Sequence, residues 1–382
     1  MKKRKNKFIE FFMAELLKER KAIFIKLIPK MKFFSWGLIF ILVIISLSGC
    51  QKKQILPSIN KSTPEQLNNS SQNNVVPENN NAAESQTALI SEGIKLPVAI
   101  MLDNFIDSRP VSGINSASII YESPAEADIT RFLAIFNQDA LPDKIGPVRS
   151  ARPYFVRWAE EYGALYIHAG GSDQALKTIK NDQKEDKIYD LNEISGDGAY
   201  FWRDHNRVAP SNLYTSGEFI KKAIENRNLP EKIKTNFSGW KFSNDINLTS
   251  QESSEFIKIN YLDPVAWKFD SKTDFYLRFS IDSKTGTLNP FVDADGTQIK
   301  TKNLIIQKTE INILDEVGRR EITTIGDGEA MIFQKGKLTK GKWQRGDSQE
   351  STRFYDTFDK EIEFLPGSVW VEVVSPRHKL VY

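Results

Sequence analysis

The one cysteine of this chain divides it into a part that can fold and a part that cannot. Cys50 closes the tetrapeptide LSGC. An uncharged apolar run over residues 33–47 (FFSWGLIFILVIISL) precedes it, and an abruptly polar stretch beginning QKKQ comes after it. Residues 1–32 carry eleven Lys and Arg against three Glu. A basic segment, a short apolar run and small residues at the cut make a secretory signal peptide. The run is shorter than the roughly 20 residues that span a bilayer comfortably, which argues against an uncleaved signal anchor. Residues 1–49 therefore read as a signal peptide with an atypical N-terminal extension. Either Met31 is the true start, or the first 30 residues are a dispensable cytoplasmic tail.

A lone thiol in an exported protein calls for a use. LSGC resembles the lipobox of bacterial lipoproteins, which implies a diacylglyceryl anchor on Cys50 and a position on the outer face of the cell membrane. Residues 51–92 are dominated by Asn, Gln, Ser, Pro and Glu (STPEQLNNSSQNNVVPENNNAAESQ). Such a segment buries too little apolar surface to offset its ordering entropy, so residues 50–92 are expected to be a lipidated cysteine and a disordered tether. The formal charge of +3 belongs to the leader. The chain from Cys50 onward is mildly acidic, and bulk electrostatics give no support for nucleic-acid binding.

From residue 93 the composition turns globular. Short apolar runs at 97–103, 117–121 and 130–136, bounded by turn residues, read as buried strands. Over 153–162, Phe155, Trp158, Ala159 and Tyr162 fall on one helical stripe, with Gly163 at the expected C′ position. A strand over 164–168, a Gly170-Gly171 turn, a helix capped by Ser172 and a further helix over 218–227 come next. Strands mixed with helices predict an α/β domain over 93–230, a mixed sheet with helices. From 231 to 382 short strands recur between Asp/Gly turns, at 266–269, 275–279, 303–307, 330–333 and 369–373. They predict a mostly β domain, a small sandwich or barrel.

The stretch at 145–155 (IGPVRSARPYF) places Arg149 and Arg152 beside a stiff turn. Pro153 biases Arg152 away from the α region yet suits a helix's first turn, so both arginines stand at a helix start. Free N–H groups plus guanidinium forks make an anion site, onto which Arg131 and Arg203 are candidates to converge. The alternative is that these arginines pair with Glu122, Glu126, Asp128 or Asp204 and lock loops together. His168, Gly170, Gly171 and Ser172 form a strand end, glycine turn and helix start, the layout of many open-sheet ligand sites. His168 itself is either a satisfied strand-end residue or a base. The histidines His168, His205 and His378 show no HExxH and meet no second thiol, so no zinc site is expected and no cofactor is implied. A carboxylate-held Mg²⁺ on Asp103, Asp128 or Asp204 stays open. Phe275, Tyr276 and Trp343 either fill the β core or stack on glycans.

Several blocks together resemble the YerB-like family of bacterial lipoproteins. They are residues 129–136 (ITRFLAIF), 145–155, 166–172 (YIHAGGS), 201–204 (FWRD), 209–216 (APSNLYTS), 326–330 (GDGEA), 341–343 (GKW) and 352–355 (TRFY). The likeness covers about residues 95–376 and implies two domains and the lipid anchor, but no reaction. One departure is visible: residues 125–128 (AEAD) stand where a more glycine-rich stretch is expected. Two functions are compatible with all of this. One is an envelope protein that binds an anionic glycan or a protein partner through the arginine-rich loops. The other is a transferase or hydrolase acting on phosphate-linked envelope precursors, since residues 130–180 share a layout with the LytR-CpsA-Psr phosphotransferases.

Overall fold

A computed structural model describes residues 95–232, 239–246, 252–348 and 350–382. The signal peptide, Cys50 and the tether lie outside the described residues. In the first half the chain forms β1 (Val98–Asp103), β2 (Ile119–Glu126), β3 (Ile129–Phe136), α1 (Pro153–Glu161), β4 (Leu165–His168), α2 (Asp173–Lys184), β5 (Tyr189–Asn192) and α3 (Gly217–Asn226). The second half adds β6 (Phe256–Ile259), β7 (Val265–Asp270), β8 (Phe275–Ile281), β9 (Leu288–Pro290) and β10 (Asn303–Lys308). It ends with β11 (Gly326–Gln334), β12 (Lys337–Arg345), β13 (Arg353–Asp356), β14 (Val369–Val374) and β15 (Leu380–Val381). The expected N-terminal mixed sheet with helices and the mostly β C-terminal half are both present.

The strands of the second half divide between two sheets. A ten-stranded sheet runs β13-β12-β11-β10-β14-β2-β3-β1-β4-β5, so five C-terminal strands extend the N-terminal sheet. The seam is parallel, with Ile119 to Glu122 opposite Val369 to Glu372. A second sheet runs β9-β8-β7-β6-β15. Its Trp267, Tyr276, Ile257 and Ile259 share a core with Phe132, Phe333 and Trp370 of the large sheet and with Ile220 and Ala223 of α3. On the opposite face, Phe155 and Trp158 of α1, Tyr162 at its C-cap and Ala175 and Ile179 of α2 pack against Met101, Tyr121 and Val371. The large sheet is covered on both faces. That is why β1 (VAIMLD) and β14 (VWVEVV) are buried at every position and read as continuous rather than alternating apolar runs.

The topology has one consequence for function. β1, β2, β4, β5, β10 and β14 all run in the same direction. Their carboxyl ends therefore line one edge of the sheet, where open α/β sheets bind ligands. The helix starts of α1 and α2 and a short hairpin, Ile311–Ile313 with Arg320–Ile322, gather near that edge.

An arginine cluster at the carboxyl edge of the sheet

The run at 145–151 reaches this edge because its backbone is held along its length. Ile145 N donates to Thr215 O at 2.8 Å, Val148 N to Leu213 O at 2.7 Å, Arg149 N to Met101 O at 2.9 Å and Ala151 N to Gly170 O at 2.9 Å. Gly146 is needed here, because a Cβ would lie 2.6 Å from the Tyr214 ring and 2.8 Å from Leu213 O. Arg152 then takes an extended φ of −133° as the N-cap of α1, and Pro153 starts the helix. Ser172 caps α2 by accepting from Ala175 N at 3.3 Å, as its sequence position predicted.

Glu126 is the centre of the cluster. Arg131 Nη2 donates to its Oε2 at 2.8 Å, and Arg152 Nε donates to its Oε1 at 2.6 Å. Arg152 Nη2 reaches Oε1 as well, while Nη1 donates to Ala151 O at 2.7 Å. Arg131 Nη1 is held by Ser150 O at 3.2 Å. Burial alone would raise the Glu126 carboxyl, but Arg131 and Arg152 outweigh it and hold it below the usual carboxylate range. Arg149 sits beside these groups with its Nε 3.1 Å from Asp103 Oδ2. Its side chain is 24% exposed, and its buried Nε, though ion-paired with Asp103, has no hydrogen-bond partner among the described residues. Burial lowers Arg149 and Arg152 from the ordinary guanidinium value, and Arg131 lowers both further. Three guanidiniums thus share two carboxylates, Asp103 and Glu126.

Beside Arg152 opens a cleft of about 310 Å³ lined by Pro153, Ser172, Asp173, Leu314 and the doublet Arg319-Arg320, among others. Arg320 Nη2 pairs with Asp128 Oδ1 at 2.7 Å, and Arg319 pairs with Asp315. Arg320 Nε and the Tyr166 hydroxyl, both buried, have no hydrogen-bond partner among the described residues. Burial pushes the Tyr166 phenol well up, and that phenol lies close enough to Arg152 and Asp190 to feel both charges.

The sequence-predicted residues are only partly brought together. Arg131, Arg149 and Arg152 form one cluster, while Gly171 bridges to Ala151 and Ser172 joins Arg152 in lining the cleft. His168 is wholly buried: its Nδ1 donates to Gly170 O at 2.7 Å, and Nε2 faces Asp190 Oδ1 at 2.7 Å. It holds the Gly170 turn, whose N–H donates to Asn192 Oδ1 at 2.9 Å. Arg203 lies apart from the three arginines, 45% exposed and paired with Glu193 at 3.0 Å and Asn212 at 3.1 Å. Trp343 and Tyr276 are buried in the cores. Asp103 is engaged by Arg149 and Ser211, and Asp204 by Lys144. Among the described residues no three His, Cys, Asp or Glu side chains converge as metal ligands would. Sequence reasoning missed Arg319, Arg320 and Leu314. The Arg-Arg doublet was visible, but nothing local connects residue 320 with residue 128.

Residues 86–230 match the family described as "Protein of unknown function (DUF3048) N-terminal domain" and residues 257–371 match its C-terminal domain. Over 281 residues the chain is 33% identical to a Bacillus subtilis protein named "Putative lipoprotein YerB", covering 73% of this chain and 81% of that one. This chain belongs to the YerB-like DUF3048 family. The crystal structure of YerB from Bacillus subtilis superposes with a TM-score of 0.63 at 30% identity, covering 75% of this chain and 94% of that chain. The family's N- and C-terminal segments meet here at the β2–β14 seam.

Proposed function

We propose that this member of the family is a lipid-anchored envelope protein, held to the outer face of the cell membrane through Cys50, that binds an anionic ligand at the carboxyl edge of its sheet. The supporting observation is the imbalance of the cluster: Arg131, Arg149 and Arg152 against Asp103 and Glu126, with the buried Nε of Arg149 lacking a hydrogen-bond partner among the described residues. A partly buried guanidinium whose donors are not all hydrogen-bonded is costly, and an anion accepting from it relieves that cost. The starts of α1 and α2 beside the cleft add dipoles of the same sign. The name of the Bacillus subtilis relative supports the anchor. An anionic glycan or an acidic protein segment are the envelope partners that this chemistry fits, and no specific observation favours the transferase alternative.

Crystals soaked in pyrophosphate test the binding site. Density within hydrogen-bonding distance of Arg149 Nη1 or Nη2 is the expected result, and density confined to other surfaces contradicts it.

A further inference from the structure

The carboxylate that occupies Arg131 and Arg152 is carried on a turn built against its own backbone preferences. β2 has an irregularity between Pro124 and Glu126, which leaves Ala125 without a ladder partner. A bulge of this kind re-aims the next side chain. The two residues that link β2 to β3, Ala127 and Asp128, have φ of 50° and 64°. Two-residue hairpin loops with both residues left-handed favour Asn-Gly, and the Cβ of Ala127 is strained in that region. The turn is held from outside by the hairpin of the second half. Ala127 N donates to Gly318 O at 3.2 Å, Glu126 bridges to Arg319, and Asp128 pairs with Arg320. Both Arg319 and Arg320 also line the cleft next to Arg152.

Resting on the anion-binding role above, we propose that Glu126 is an internal stand-in for the ligand. The ligand's anionic group takes the place of its carboxylate between Arg131 and Arg152, and the 127–128 turn moves out as it binds. Glu126 receives Arg131 on one oxygen and Arg152 on the other. The group that replaces it therefore presents at least two acceptor oxygens on one atom, as a carboxylate or a phosphate does. Because Glu126 competes for the site, the protein binds simple anions weakly. A ligand that also engages Arg149 or the cleft wall gains the advantage.

The test is calorimetric titration of the full-length lipidated protein in detergent with pyrophosphate and, separately, succinate, comparing wild type with Glu126→Gln. Whichever anion class binds wild type is expected to bind Glu126→Gln at least tenfold tighter. Wild-type binding with no gain in Glu126→Gln overturns the stand-in role and leaves anion binding intact. Absence of binding in both proteins overturns both. Should Glu126→Gln lose its cooperative thermal melt, Glu126→Asp serves instead. It keeps the charge but withdraws the carboxylate by about 1.5 Å, one carbon–carbon bond. It is expected to show a smaller gain of at least threefold, and no gain again overturns the proposal.

Discussion

Glu122 and Arg278 stand 156 residues apart in the chain and are joined at 2.8 and 2.9 Å with almost no exposure on either side. Asn104 and Thr130 also donate to Oε1 of Glu122, at 3.0 and 2.7 Å, and the Arg278 guanidinium lies 4.0 Å from the Phe291 ring centroid. On the other face of the sheet Glu161 pairs with Arg345 at 2.9 Å and accepts from Thr352 N at 2.8 Å. In both staples the acid comes from the first half of the chain and the arginine from the second. Removing one partner of such a pair strands a buried charge, at a cost of about 3–5 kcal/mol. Arg278→Met should lose that much in denaturant unfolding. The double variant Arg278→Met with Glu122→Gln should recover most of it. Additive losses would show that the pair is not coupled.

Glu372 lies opposite Glu122 across the β2–β14 seam, accepting from Trp267 Nε1 at 2.8 Å and Tyr261 Oη at 3.1 Å. Burial, then repulsion from Glu122, raise its carboxyl well above the ordinary glutamate value, against the pull of Arg278. A carboxyl raised in the folded state binds its proton more tightly there than in the unfolded chain. Its contribution is intact below the unfolded value of roughly 4.3 and is lost as pH rises toward the folded value. Glu372→Gln should flatten the decline of stability with rising pH above about 4.3. A melting curve whose pH dependence matches wild type would contradict this.

Ala127 carries the left-handed strain of the β2–β3 turn without an evident side-chain role. Ala127→Gly should raise stability by roughly 0.5–1 kcal/mol, the relief of the Cβ clash less the added flexibility of the unfolded chain. Destabilisation would mean that the methyl group packs usefully.

Cys50→Ala should leave the folded body unchanged and release it from the membrane after signal cleavage. Fractionation that still finds the cleaved variant in the membrane would remove the basis for the anchor.

Much of the fold was legible because its cues are local. Apolar runs between turn residues located β1, β3 and β4, and Pro153, Ser172 and Gly163 marked helix ends that the structure reproduces. The unusual AEAD turn was visible as a departure from a glycine-rich loop, and it proves to be where the backbone is strained. What stayed hidden is long-range. No sequence period announces that β14 pairs with β2 or that Arg320 meets Asp128, because strand order and buried ion pairs leave no spacing signal. The arginines at 149 and 152 left open a shared anion site or pairing with carboxylates such as Glu126. Which carboxylate meets which arginine had no sequence signal: Arg152 pairs with Glu126 and Arg149 with Asp103.

The most direct measurement is the affinity of the wild-type and Arg149→Ala proteins for pyrophosphate, by calorimetry at low salt. A partly buried charge-assisted contact is worth about 1.5–3 kcal/mol, so Arg149→Ala should bind at least tenfold more weakly while keeping a cooperative thermal melt. Equal affinities in the two proteins, or no measurable binding in either, would contradict an anion site at this edge of the sheet.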